Sequence, residues 1–425
     1  MKKIITLLLL IGGFACAASA DDYIISGSHY ILNGNHDTDF WWQDGSNMLS
    51  ETSTSGIYTL VVERCSLTAG ENYGFKVKVS EDAWNDNTTF PASPYNINVP
   101  YTGTYTLIYY VDIANKGIRV IAQPELRWNL GDNGKGNWDW LIDDSSKFTK
   151  DGDFGWTFEV LPDKFTSDFS FRIYSGVFQK QAYPNGQDLA LPYGNTASTS
   201  AYFNSGSTSW SWKVTKPSCA FDKLIIHAVY NPFANSDGTW DVTANANALV
   251  TTNGSGYCTL TTNVPLTISG ASAYYATDKG NGSATANAMT NPAANVPMLI
   301  KGDAGKTYSF AVAASGTTHS DNAFKAGTGS ALASTTDGKY NYILNGNAFF
   351  AANDKTVAEG KAYLQLSAAA SSRALVFADD EATGIEAVDN MPFANDHSVY
   401  NLNGQRVNTP QKGLYIVNGR KVVLK

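Results

Sequence analysis

Short runs in which apolar and polar residues alternate are the main pattern along this chain. Tyr73–Val79 alternates with the two-residue period of a strand that is buried on one face. Similar or β-rich runs predict strands at 57–62, 105–111, 117–121, 296–301, 307–312, 340–344, 361–366 and 374–377. Turn dipeptides such as Asn33-Gly34 separate the runs. The pattern therefore predicts an all-β fold class, with tandem β-sandwiches.

The first twenty residues differ from this pattern. Lys2-Lys3 precedes a short apolar stretch, which ends in Ala18-Ser19-Ala20. A basic start, an apolar centre and a small-residue end are typical of a cleaved signal peptide. We therefore expect a protein that is secreted or held at the outer membrane or cell surface. Lipidation at Cys16 is the alternative, although Gly13 stands where a lipobox usually has Leu.

Motifs recur in the same order in two successive parts of the chain. Trp138-Asp139-Trp140 follows the pattern of Phe40-Trp41-Trp42, and Phe169–Ile173 follows that of Tyr73–Val77. Order kept over such a length indicates an internal duplication. We divide the chain into a signal peptide (1–20), a first section (21–122), a second, related section (123–245), a third section that is a β-domain of unassigned role (246–388) and a tail (389–425).

Composition narrows the classes of partner. The net charge is −8 and only 16% of residues are charged, whereas nucleic-acid binding requires a basic surface. No segment after the signal offers the roughly 18 consecutive apolar residues of a transmembrane helix. After Cys16 the cysteines are Cys65, Cys219 and Cys258, an odd number. Buried free thiols are favoured over one disulfide plus a free thiol.

The tail predicts a small β-unit with hairpin turns at Asn403-Gly404 and Asn418-Gly419. Its pattern of Tyr400, Gly404, Gly413 and Tyr415 resembles the C-terminal sorting domain of the type IX secretion system of Bacteroidetes. This resemblance implies recognition by the secretion machinery and export across the outer membrane.

The first section resembles the starch-binding β-sandwiches of the SusE and SusF outer-membrane lipoproteins. The resemblance rests on Trp42, Phe75-Lys76-Val77, Trp84, Pro94–Ile97 and Gly103-Thr104-Tyr105. It implies a starch-like polysaccharide or oligosaccharide ligand. The second section departs from the pattern, because Arg172 replaces the Lys and Lys180 stands where the Trp would be.

A sugar site needs a flat aromatic surface beside hydrogen-bonding groups. The candidate carbohydrate-binding residues are Trp42, Lys76, Trp84 and Asn85 in the first section and Trp138, Trp140 and Arg172 in the second. Lys76 should face outward between inward-facing Phe75 and Val77. A core position for Trp84 is the alternative.

Catalysis and metal binding have weaker support. Asp143-Asp144 and Asp379–Glu381 are runs of adjacent acids in predicted loops, whereas a glycosidase needs two carboxylates facing across a cleft. Asp37, Asp39 and Asp44, or Asp151 and Asp153, do not complete a calcium loop. We expect a non-enzymatic glycan-binding protein with no cofactor and no metal. The alternative is a structural or adhesive surface protein whose sandwiches are scaffold only.

Overall fold

The structure is a computed structural model of the chain. It describes residues 23–27, 48–79, 89–99, 101–128, 146–175, 180–184, 186–203, 210–377, 384–387, 399–400, 407, 413–417 and 420–424. These residues form strands and no α-helix, which confirms the all-β fold class. No helix among them has the length and apolar character needed to span a membrane. The chain divides into two compact units, Met1–Lys216 with Asp222–Ala246 and Pro217–Phe221 with Asn247–Lys425.

The first section is a sandwich of two antiparallel sheets. Its strands are β1 (Tyr23–Gly27), β2 (Ser50–Glu51), β3 (Ile57–Leu67), β4 (Tyr73–Val79), β5 (Thr89–Ile97), β6 (Gly103–Asp112) and β7 (Gly117–Ala122). One sheet has the order β1-β4-β5 and the other has the order β2-β3-β6-β7. Phe75 and Val77 of one sheet and Leu107 and Tyr109 of the other belong to one buried cluster. Alternate residues of each strand therefore fill the core between the sheets.

The second section has more strands and a core rich in tryptophan. Its strands are β8 (Glu125–Trp128), β9 (Thr149–Asp151), β10 (Gly155–Val160), β11 (Phe169–Tyr174), β12 (Lys180–Ala182), β13 (Leu189–Ala190), β14 (Thr196–Phe203), β15 (Trp212–Val214), β16 (Phe221–Asn231) and β17 (Thr239–Thr251). They pair in the order β13-β15-β11-β12-β14-β17-β16-β10-β9, and β8 also pairs with β11. Trp156, Trp212 and Trp240 are each 1% exposed.

The two sections pair their strands in corresponding ways. The order β2-β3-β6-β7 in the first section matches β9-β10-β16-β17 in the second. Phe75-Lys76-Val77 pairs with residues 25–27 of the first strand of its section. Phe171-Arg172-Ile173 pairs with residues 126–128 of the first strand of the next section. This correspondence is the topology that a duplicated sandwich produces.

The two sections also share a packed aromatic contact within the first unit. Strand β6 is buried on both faces, so that Tyr109 lies in the core of the first section while Tyr110 faces the second. The Tyr110 ring lies 5.6 Å from the rings of both Phe154 and Tyr230. Its hydroxyl donates a hydrogen bond of 3.1 Å to the Asp153 carbonyl oxygen. These contacts join the sections into one body.

The third section is built from many short strands. They are β18 (Tyr257–Leu260), β19 (Leu266–Thr267), β20 (Ser272–Asp278), β21 (Ala284–Met289), β22 (Met298–Lys301), β23 (Thr307–Val312), β24 (Phe324–Ala326), β25 (Ala331–Leu332), β26 (Thr335–Thr336), β27 (Lys339–Asn345), β28 (Ala348–Ala351), β29 (Lys355–Thr356), β30 (Ala362–Leu366), β31 (Ala374–Phe377) and β32 (Gly384–Ala387).

The main sheet of the third section has the order β18-β22-β20-β21-β32-β31-β28-β27-β30-β24. Residues from distant strands of this sheet, including Ala276, Leu299, Phe349 and Leu364, share one buried cluster. The sheet therefore curls around a common core. Most of the positions facing that core are Ala or Leu, and Phe324 and Phe349 fill its centre.

The tail contributes β33 (Val399–Tyr400), β34 (Gly413–Val417) and β35 (Arg420–Leu424), which form a three-stranded sheet in that order. Tyr400 pairs with Ile416, and Tyr415 pairs with Val422. Gly404 lies outside the described residues. Three of the four predicted sorting-signal residues thus lie on this small sheet.

Candidate functional site

Lys76 lies on the outer face of strand β4. Its neighbours Phe75 and Val77 are 1% and 0% exposed, whereas Lys76 itself is partly exposed, as the alternation predicts. The Lys76 Nζ donates a hydrogen bond of 2.7 Å to the carbonyl oxygen of Ala92 in the adjacent strand β5. An ammonium group has three donors. The contact with Ala92 therefore fixes the side chain over β5 and leaves donors for a ligand.

Two chain segments are fastened at the same end of the β1-β4-β5 sheet. Met48 forms an isolated β-bridge with Ile24, and the Leu49 N–H donates a hydrogen bond of 2.8 Å to the Tyr23 carbonyl oxygen. Val79, the last residue of β4, pairs with Tyr23 on the same strand. The segment that ends at Met48 and the segment that begins after Val79 therefore meet the sheet within one or two residues of each other.

These two segments carry the aromatic residues that the sequence singles out. Trp42 lies six positions before Met48, and Trp84 lies five positions after Val79. Asn85 follows Trp84. All three lie outside the described residues, so only their attachment points are part of the observed geometry.

The second section fastens its corresponding segment in the same way. Lys147 forms an isolated β-bridge with Glu125, and the Phe148 N–H donates a hydrogen bond of 2.8 Å to the Pro124 carbonyl oxygen. Trp138 and Trp140 lie in the segment before this bridge, outside the described residues. The same bridge and hydrogen bond therefore recur at residues 48–49 and 147–148, where the described chain resumes in each section.

Arg172 differs from the rim position expected for a sugar ligand. It is 9% exposed, and its guanidinium lies 5.4 Å from the centre of the Tyr183 ring. Its Nε donates a hydrogen bond of 3.4 Å to the Ser211 hydroxyl. Burial lowers the pKa of Arg172, and Tyr183 and Asp188 partly offset that effect. The reason is that Tyr183, which follows β12, and Ser211, which precedes β15, both contact the guanidinium, so that Arg172 ties their segments to β11.

A buried ion pair lies where the first and second sections meet. Arg127 Nη2 and Glu125 Oε2 are 2.8 Å apart, and their side chains are 6% and 8% exposed. The Arg127 guanidinium lies 5.2 Å from the centre of the Tyr174 ring. The pair had no signal in the sequence, because Glu-x-Arg on a short strand is typical of a solvated edge.

Beside this pair is a cavity of about 20 Å³, with Tyr101 and Tyr105 in its wall. The Tyr105 hydroxyl donates a hydrogen bond of 2.6 Å to the Tyr101 carbonyl oxygen. Burial raises the pKa of Tyr105 to about 12. A space of this volume holds about one water molecule and is too small for a sugar ring.

The acidic residues considered for calcium have protein partners where they are described. The Asp153 carboxylate accepts a hydrogen bond of 2.7 Å from the Ser53 N–H, which lowers the pKa of Asp153. The Asp151 carboxylate lies 3.5 Å from the imidazole of His227. Within the described part of the chain, no group of three or more His, Cys, Asp or Glu side chains could hold a metal ion.

The three cysteines within the described residues are free thiols. Cys65 and Cys258 are buried, and Cys219 is partly buried. Burial raises the pKa of Cys258 to about 11, which suppresses its thiolate form at neutral pH. Cys65 and Cys258 are therefore core residues, and the thiol of Cys258 is a weak nucleophile at neutral pH.

No protein-family model and no curated protein matches this chain.

Proposed function

We propose that the protein is a non-catalytic carbohydrate-binding protein of the cell surface whose first section binds a starch-like glycan. The observation that carries this proposal is the shared attachment of two segments at one end of the β1-β4-β5 sheet. Met48 and Val79, the described ends of the segments that carry Trp42 and Trp84, pair with adjacent residues of β1, Ile24 and Tyr23. Lys76 stands on the outer face of the same sheet.

Each residue has a distinct role in this proposal. Trp42 and Trp84 supply aromatic faces on which sugar rings stack. Lys76 and Asn85 supply hydrogen-bond donors for the ring hydroxyls. In the second section Trp138 and Trp140 supply the corresponding platform, and buried Arg172 supports the sheet without touching the sugar. Binding through a few aromatic contacts gives a Kd of roughly 10 μM to 1 mM.

We also infer that the protein is exported. Residues 1–20 act as the signal peptide, and the small sheet that holds Tyr400, Gly413 and Tyr415 is recognised by the secretion machinery. Deletion of the tail from Asp389 should retain the protein in the periplasm, as measured by cell fractionation. Unchanged delivery to the surface would contradict this assignment.

A scaffold function is the competing proposal, and one observation favours it. Lys76 already has a partner in Ala92, and Arg172 is enclosed by Tyr183 and Ser211. Side chains with such contacts can serve the fold alone. The two functions differ in whether the candidate tryptophans contact a ligand, so that binding measurements on variants of Trp42 and Trp84 separate them.

The test compares starch-gel retardation and maltoheptaose calorimetry for the full chain and for Trp84→Ala. Binding should weaken about tenfold or more, because loss of one stacked ring removes ~1.4 kcal/mol. The midpoint of urea unfolding should stay nearly unchanged. Lys76→Ala should weaken binding less, and Lys164→Ala, which removes an exposed lysine elsewhere, should have no effect.

A Trp84 in the core would give the opposite result. Truncation of a core tryptophan costs about 3–5 kcal/mol of stability. If Trp84→Ala unfolds the first section while Trp42→Ala is stable and binds normally, this site assignment is wrong. Absence of binding by the wild-type chain to every polysaccharide tested would favour the scaffold function.

A further inference from the structure

A pair of stacked aromatic rings lies on the outer face of strands β20 and β21 in the second unit. The rings of Tyr275 and His319 have centroids 3.8 Å apart and planes inclined by 14°. Both side chains are partly exposed. The opposite face of the same strands, with Ala276 and Ala286, is buried in the core. The ring pair therefore belongs to the solvent-facing side of a rigid sheet.

A chain of hydrogen bonds runs beside the rings. Asn287, which pairs with Tyr275 across the strands, donates from Nδ2 to the Thr277 hydroxyl over 3.0 Å. The Thr277 hydroxyl in turn donates to a carboxylate oxygen of Asp321 over 3.0 Å. The chain fixes the orientation of an amide, a hydroxyl and a carboxylate in one row along the sheet.

The turn that contains His319 and Asp321 is held by hydrogen bonds that do not involve the Tyr275 or His319 rings. Asn322 is 8% exposed, and its Nδ2 donates a hydrogen bond of 2.7 Å to the Pro297 carbonyl oxygen. Its Oδ1 accepts hydrogen bonds from the backbone N–H groups of Ala276 (3.3 Å) and Phe324 (2.9 Å). Since these buried bonds hold the turn, stacking of His319 on Tyr275 is not needed to close it.

The rings also carry polar atoms that the protein does not use. Among the residues that the structure describes, neither the Tyr275 hydroxyl nor a ring nitrogen of His319 has a hydrogen-bond partner. Nearby Asp321 is exposed and has a second carboxylate oxygen, while Thr285 lies opposite Thr277 on the neighbouring strand. The face thus combines an apolar ring surface with donors and acceptors at its edge.

We propose that this face binds a neutral pyranose sugar, and that the third section is a second, separate glycan-binding part of the protein. A sugar ring presents C–H groups to an aromatic surface and hydroxyls to the surrounding polar groups. The Asp321 carboxylate disfavours phosphorylated or acidic ligands by charge repulsion. The proposal concerns residues different from those of the first section and does not depend on binding there.

The experiment uses the full chain with isotope-labelled histidine and observes the imidazole signals by NMR. The His319→Gln variant identifies the His319 signal among the five histidines. The probes are maltohexaose, cellohexaose, mannohexaose and xylohexaose, which differ in linkage and in the orientation of hydroxyls. At least one of them should shift the His319 signal in a saturable way at up to 10 mM, an upper limit about tenfold above a Kd of roughly 1 mM.

Four variants test the proposal. Tyr275→Ala should weaken the binding of the active probe about tenfold, and Tyr275→Phe should weaken it less because the ring remains. Tyr363→Ala removes another partly exposed strand tyrosine of the same unit and should leave binding unchanged. Trp84→Ala should also leave the His319 response unchanged, which separates this site from the one in the first section.

Two results would overturn the proposal. One is the absence of any saturable His319 shift with all four probes. The other is unchanged affinity of Tyr275→Ala, provided that its circular dichroism spectrum is that of the wild type.

Discussion

At the scale of single residues, the buried pair of Glu125 and Arg127 makes the first unit sensitive to the loss of one charge. Both side chains are more than nine-tenths buried and lie at the junction of the first and second sections. Removal of a charge from water costs several kcal/mol, and the partner charge together with hydrogen bonds offsets that cost. Loss of one charge alone should therefore destabilise the junction, because the other charge stays buried.

Substitution of Glu125 by Gln should destabilise the first unit by about 3–5 kcal/mol, because it leaves the Arg127 charge buried without its counter-charge. Urea unfolding followed by tryptophan fluorescence measures this, since every tryptophan lies at or before Trp240. As a control, Asp163→Asn breaks an exposed pair with Lys164 and should change stability by less than about 1 kcal/mol. Equal effects of the two substitutions would contradict this account.

At the scale of elements, the turn between β16 and β17 depends on a glycine. Gly238 has a φ of 78°, and a Cβ atom there would lie 2.6 Å from the ring of Tyr230. The Tyr230 ring is packed 4.8 Å from Trp240 and 5.6 Å from Tyr110. Any shift of Tyr230 would therefore disturb both a core and the contact between the two sections.

Gly238→Ala should lower the stability of the first unit by about 2–4 kcal/mol, from the strained φ and the displaced ring together. The matched control is Gly152→Ala in the same unit, where φ is 73° but a Cβ meets nothing within 4 Å. Thermal unfolding of both variants measures the difference. If the two substitutions have the same melting temperature, Tyr230 does not transmit the strain.

Sequence periodicity predicted the regular strands well and the interrupted ones poorly. Tyr73–Val79 is observed as predicted, because its alternation has no break. The strand predicted at 57–62 continues to Leu67, since a bulge with Arg64 at a φ of 61° lets the pairing resume at Cys65. A bulge inverts the alternation of apolar and polar residues. The prediction from periodicity therefore ended this strand too early.

In the candidate sites, too, alternation along a strand predicted some residue positions and missed others. The outward position of Lys76 followed from alternation on one strand. Burial of Arg172 did not, because it results from contacts with Tyr183 and Ser211, which lie outside its strand. The stack of Tyr275 on His319 was missed for the same reason. Local pattern determines which face a residue takes, and only tertiary contacts determine what covers that face.

At the scale of the whole molecule, the first unit contains several buried tyrosines whose phenol groups lose their protons more easily in the unfolded chain than in the folded one. Burial raises the pKa of Tyr105 to about 12. Burial also raises the pKa above its ordinary value of 10 for Tyr109, Tyr110, Tyr174 and Tyr230. The folded unit therefore keeps protons that the unfolded chain loses above pH 10.

The stability of the first unit should consequently decrease as pH rises through 10 toward 12. Below pH 10 the tyrosines are protonated in both the folded and the unfolded state, and their contribution to the free energy of unfolding is fully present. Above pH 10 the unfolded state binds fewer protons than the folded state, and the unfolded state is therefore favoured. Urea midpoints at pH 8, 9, 10 and 11, followed by tryptophan fluorescence, measure the trend. Tyr105→Phe should make the decrease shallower. A midpoint that stays constant between pH 9 and 11 would contradict the burial of these phenols.

The bridges at Met48 and Lys147 affect how easily the sequence before them can change in length. Each attaches the chain to the backbone of the first strand of its section. The entropic free-energy cost of closing a chain segment rises by only about 0.6 kcal/mol when the length of the segment doubles. This increase is small compared with the free energy of unfolding of a folded domain. A longer chain between β1 and Met48, or between β8 and Lys147, should therefore leave the sandwich folded. The strands of each section can stay the same while the sequence between these attachment points changes.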